Sequence, residues 1–151
     1  MLAIKVTLKY LRWVLRIRRT PKLLDVTAGR REACAILTRQ AKDRSLYEIK
    51  IKKGGEIILA VQAEEDYEEA LQILRKQLEE HNLRLLINRY RKNAFVSTMA
   101  RQMSDGQACY LVRMGRPVSH RHVVDSFGPA PARRIVTERE ADEFLEQWIN
   151  S

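Results

Sequence analysis

Two cysteines cannot staple a chain of 151 residues, and neither belongs to a CxxC pair or to a Cys/His set at zinc-finger spacing. A chain of this length buries roughly two thirds of its unfolded surface, so it folds without a disulfide framework. Cys34 and Cys109 sit in the apolar runs EACAIL and QACYLV, which predicts buried, reduced thiols in a cytoplasmic protein. Aromatic residues make up only 7%, which leaves little for base stacking. No apolar run approaches the roughly 18 residues of a membrane span. The first block carries scattered cations and no small-residue cleavage site, so it does not read as a signal peptide.

The signatures of catalysis are also scarce. Neither a GxGxxG nor a GxxxxGKS-type phosphate loop occurs, and no GxSxG elbow. Ser97 and Thr98 have no histidine near them in sequence, and Cys109 lies in a strand-like run. His120 and His122 share a face if they lie in a strand, and Asp125 follows. No further ligand comes at a recognisable spacing, and Arg116 and Arg121 raise the positive charge nearby. The expectation is a protein without catalytic residues, metal or cofactor.

Positive charge is what the chain has in excess: +9 overall, unevenly spread. Residues 1–22 carry seven cations and no acid, and residues 84–134 carry ten cations against two acids. Between them the charge is nearly balanced, and residues 135–151 are acidic. Two basic blocks of this kind point to an anionic partner.

Hydrophobic periodicity supplies the elements. Residues 2–19 read as a basic amphipathic helix with a ridge of Lys5, Lys9, Arg12 and Arg16, stopped at Thr20-Pro21. Docking on the core is preferred over attachment to a membrane surface. Cys34, Leu37 and Ala41 suggest a second helix over residues 28–43, with Asp25 or Thr27 as its cap and Gly29 as a weak point. Residues 46–62 alternate with period two around Gly54-Gly55, a β-hairpin whose more apolar return strand, EIILAVQ, is expected inside the sheet. Tyr67, Ala70, Leu71, Leu74 and Leu78 mark one face of a helix over 64–81, whose first turns carry acids that are expected to be solvated. Strands follow at LRLLINRY, QACYLVRM and HVVDSF, with an irregular basic segment and an Asp105-Gly106 turn between the first two. The capping-box pattern Thr137-Glu138-Arg139-Glu140 opens a last helix with Ala141, Phe144, Leu145 and Trp148 on one face. Together these predict a single α+β domain over 1–151. It has a mostly antiparallel sheet of four or five strands with helices packed against it, and residues 1–22 as an appended basic helix.

The motifs of the second half carry a resemblance. SxMxRxM (Ser97 to Met103) leads into the Asp105-Gly106 turn, then AxYLV (Ala108 to Val112), then V-D-x-F-x-P-A (Val124 to Ala130), then a terminal helix with Trp148. Over residues 64–150 the chain resembles the α+β immunity proteins of bacterial polymorphic-toxin systems, including contact-dependent inhibition. The resemblance implies a cytoplasmic, non-enzymatic protein that binds and neutralises one cognate protein toxin. Immunity proteins against nucleases are often acidic, whereas this chain is basic; its acidic helix 64–80 or an acidic toxin surface would reconcile the two. On this reading Arg89, Arg91, Lys92 and Arg101 are the candidate partner contacts, with Ser97 and Asp105 shaping the loop. The rival is a small basic nucleic-acid-binding protein, in which Tyr90 stacks on a base among Arg89, Arg91 and Lys92.

Overall fold

The computed structural model describes residues 13–18 and 21–151. The fold is α+β, built on three small antiparallel sheets. The largest has four strands in the order β1-β4-β5-β6, namely Trp13–Arg18, Ala35–Ala41, Tyr47–Lys53 and Glu56–Ala63. A second joins β2 (Lys22–Asp25) to β3 (Arg30–Ala33) and to β7 (Leu83–Leu85). A third sets β9 (Ala108–Leu111) between β8 (Ala94–Phe95) and β10 (Val123–Asp125). The helices are α1 (Tyr67–Glu80), α2 (Thr98–Ser104) and α3 (Glu138–Ile149). The single sheet of four or five strands is thus replaced by one of four strands and two of three.

Several expected elements change type. Trp13–Arg18, inside the expected N-terminal helix, is a strand that runs from Trp13 opposite Ala41 to Arg18 opposite Ile36. It supplies hydrogen bonds to an edge of β4 that a helix would leave open. The rest of that expected helix lies outside the described residues. The expected helix over 28–43 is also strand. Ile36 and Thr38 are 0% and 2% exposed and stand opposite Ile51 and Ile49, a period-two pattern that the helical spacing of Cys34, Leu37 and Ala41 obscures. Cys34 is the step between β3 in one sheet and β4 in another, and its thiol donates to the Pro21 carbonyl at 3.4 Å. Asp25 does accept from a nearby amide, but in the β2–β3 turn: Ala28 N donates to its Oδ1 at 3.0 Å.

The hairpin over 46–62 forms as its alternation predicts, with Gly54 and Gly55 both at positive φ (59° and 85°), as the favoured two-residue hairpin turn requires. Its return strand is not interior. β6 is the edge of its sheet among the described residues, and Ile57 and Ile58 are exposed.

α1 buries the predicted face, Tyr67, Ala70, Leu71, Leu74 and Leu78, against β5, β6 and β7. Tyr67 stands edge-on to Tyr47 and to Phe127, which ties this core to the 120s. The strand expected at LRLLINRY ends at Leu85; Leu86 and Ile87 stay buried and Asn88–Tyr90 turns as a 3-10 helix. α3 carries the predicted capping box: the Thr137 hydroxyl accepts from Glu140 N and Thr137 N donates to the Glu140 carboxylate. It is tied to α1 because Glu138 N donates to Glu79 Oε1 at 2.7 Å. No helix among the described residues is long and apolar enough to cross a membrane.

Candidate partner-binding surface

The irregular segment expected between Tyr90 and Cys109 contains an ordered helix, α2. Its signals are local. Ser97 caps it by accepting from Ala100 N at 3.1 Å, and Met, Ala, Arg and Gln are strong helix formers. Asp105 ends it in the left-handed region (φ 53°), and Gly106 follows at φ 78°.

The middle and the C-terminal end of this helix are locked onto the start of α1. Arg101 grips Asp66, the N-cap of α1, through two hydrogen bonds of 2.5 and 3.1 Å, and reaches Glu65 at 3.1 Å. Asp66 at the same time accepts from Glu69 N at 2.9 Å. The hydrogen bonds that Arg101 donates to Asp66 raise its pKa, against the opposing effect of burial. From the other side, the Asp105 carbonyl accepts from Tyr67 N at 2.9 Å. Gly106 packs directly on the Glu68 backbone. The acids at the start of α1 are therefore not a fully solvated face: Asp66 and Glu68 are buried and paired, and only Glu64 and Glu65 of that group lie exposed.

The six residues expected to meet a partner separate accordingly. Ser97, Arg101 and Asp105 converge on α2, where each positions the helix. Arg89 does not reach the surface. It is 9% exposed and its guanidinium makes three hydrogen bonds of 2.7–2.9 Å to Glu68. Burial works against its charge, but the Glu68 hydrogen bonds and charge prevail and its pKa is raised. This corrects its assignment as a partner contact: the strand that would have pointed it outward is a 3-10 turn that points it inward. Arg91 and Lys92 lie apart, beside residues 131–137 and α3. Lys92 N donates to Arg134 O, and its ammonium sits 5.6 Å over the Phe144 ring. Arg91 is half-buried with its Nε unpartnered, and burial followed by the charges of Arg134 and Arg133 lowers its pKa.

Tyr90 cannot stack on a base in this fold. It is 2% exposed, its hydroxyl donates to Leu71 O at 2.6 Å, and Arg75 covers its ring at 4.9 Å. His120 and His122 lie in a 3-10 turn capped by Ser119, not in a strand. Among the described residues no group of three His, Cys, Asp or Glu is placed to hold a metal.

Sequence reasoning missed the face that α2 presents. None of its residues is buried, and Met99 and Met103, one turn apart, are 65% and 83% exposed. Beside Met103 lies an open cleft of about 500 Å³, lined by Asp105, Ala108 and the β10 residues Val123 to Asp125. Within its sheet β10 pairs with β9 alone, which makes it an edge strand among the described residues, and Asn88 Nδ2 donates to its Asp125 carbonyl at 3.1 Å. The visible signal was the methionine spacing in SxMxRxM, i and i+4, directly after a capping serine.

Neither thiol competes for a role. Burial pushes Cys34 up to about 11, and burial pushes Cys109 to about 11 against the opposing pull of the Ser126 hydroxyl. At pH 8 the native protein should react with a disulfide reagent at least about a hundredfold more slowly than the urea-unfolded chain, since the thiolate is the reactive form. Rapid labelling of both cysteines in the native state would contradict the burial.

No family model matches this sequence, and no curated protein matches it.

Proposed function

We propose that this chain is a non-enzymatic protein-binding module of the immunity type, acting in the cytoplasm to neutralise one cognate toxin, and that α2 presents its contact surface. The observation that carries the reading is the pair Met99 and Met103. A helix capped by Ser97 and held to α1 by Arg101, Asp105 and Gly106, yet with none of its residues fully buried, spends its order on what it displays. Methionine is enriched at protein interfaces and adapts to irregular surfaces. An edge strand beside it, with Val123 exposed, extends the same apolar area.

The test is co-expression with the product of the gene immediately upstream. A complex and rescue from toxicity are expected, and neither would appear if the reading is wrong. Met99→Glu combined with Met103→Glu should weaken that complex by about a hundredfold or more without lowering the melting temperature. Unchanged affinity in that variant would move the contact surface elsewhere.

The nucleic-acid reading retains its basic surface but loses its aromatic contact, because Tyr90 is enclosed. A salt titration separates it from protein binding, since phosphate contacts weaken steeply as salt rises.

A further inference from the structure

Not every cation of the second basic block is spent internally. Arg113, Arg116 and Arg121 are exposed, and none makes an ion pair among the described residues. The three meet around one cleft of about 320 Å³, together with His122 and the apolar Leu111 and Pro117. No acidic side chain and no aromatic ring besides that imidazole lines it. Its rim is built rather than loose. Arg116 N donates to Arg113 O at 3.1 Å, which closes a turn. The end of α3 holds that turn from the other side: Trp148 Nε1 donates to Arg116 O at 2.8 Å, and Gly115 N donates to the Ser151 hydroxyl at 2.8 Å. The facing rim is the 3-10 turn, in which the Ser119 hydroxyl accepts from Arg121 N at 3.3 Å.

We propose that this cleft is a phosphomonoester-binding site. Three arginines lining one cleft without an acidic side chain among the lining leave a local excess of three positive charges. A single carboxylate would offset one of them, whereas a phosphomonoester brings about −1.5 to −2 at neutral pH and three acceptor oxygens. Guanidinium forks match phosphate oxygens bidentately. The volume lies at the small end of ligand pockets, enough for a phosphoryl group and a short body against Leu111 and Pro117. A nucleic-acid strand fits less well, because the cleft is local rather than a groove that tracks a backbone and His122 is the one ring in its lining.

This inference goes beyond the protein-binding reading, and its test uses no protein partner, so either can fail alone. Inorganic phosphate is titrated at constant ionic strength while arginine side-chain resonances are followed by nuclear magnetic resonance. The expected result is saturable shifts confined to Arg113, Arg116 and Arg121, which chloride does not reproduce. Arg116→Gln and Arg121→Gln should each weaken binding by about tenfold or more, with an unchanged melting temperature, while Lys76→Gln on α1 has no effect. If phosphoserine binds as inorganic phosphate does, the source can be a modified side chain; if it is excluded, the ligand is a free phosphate. Both results support the site. Shifts that fail to saturate, or equal affinity in the arginine variants, would overturn it. So would binding of an oligothymidylate lacking terminal phosphates when phosphate itself does not bind.

Discussion

Gly106→Ala is expected to destabilise the chain by about 3 kcal/mol or more, an unusually large effect for one methyl group. Two costs combine. Gly106 sits at φ 78°, where an alanine pays roughly 1–2 kcal/mol for its Cβ. The added carbon would also overlap the backbone nitrogen of Glu68 and lie 2.8 Å from Glu68 Cβ. Backbone cannot swing aside as a flexible side chain does, so α1 and the Asp105 turn must part, at a further 1–3 kcal/mol or so. Gly29 separates the two terms. It has φ 68° but nothing within 4 Å of an added Cβ, so Gly29→Ala should cost only about 1–2 kcal/mol. Urea denaturation of both variants makes the comparison. Equal losses would mean that the contact with Glu68 is not tight in solution. If the contact is tight, Gly106→Ala should also loosen α2, because the Asp105 carbonyl that accepts from Tyr67 N is carried by the same turn.

What was legible in the sequence was local. The Gly54-Gly55 hairpin, the apolar face of α1 and the Thr137–Glu140 capping box each announce themselves within a few residues, and each formed where expected. Two kinds of information were not local. One is the choice between helix and strand at Cys34 to Ala41. It is decided by β1 and β5 on either side, and the short run fits both periods. The other is the destination of a charge. Arg89 and Arg101 read as surface cations because most arginines are exposed. Their partners lie 21 and 35 residues earlier, at Glu68 and Asp66. In retrospect the acid run at 64–69 and the cations that follow it are complementary halves of one internal contact. Asp66 and Glu68 are thereby used inside the fold, Asp66 to hold α2 through Arg101 and Glu68 to hold Arg89, while Met99 and Met103 are displayed.

Removing one partner of Glu68–Arg89 should be among the most damaging single changes in the chain, at about 3–5 kcal/mol. Both side chains are nearly enclosed, with Glu68 at 4% and Arg89 at 9% exposure, and the guanidinium gives all three of its hydrogen bonds to that one carboxylate. Glu68 also accepts from Gln72 Nε2 at 2.6 Å, so its oxygens have no need of water. In Glu68→Met a buried guanidinium loses the carboxylate it is paired with; in Arg89→Met a buried carboxylate keeps one amide. The first should therefore be the worse. Replacing both by methionine removes both charges together and fills a similar volume. A buried pair exchanged for apolar side chains often costs little, so the double variant should be more stable than Glu68→Met alone. Urea denaturation of the wild type, the two single variants and the double variant closes the cycle. Additive losses would show that the two charges do not depend on each other, and the contact would then have to be read as two separately solvated groups. A non-additive cycle would fix Arg89 as an internal strut of the fold, and with it the turn that carries the chain from β7 toward α2.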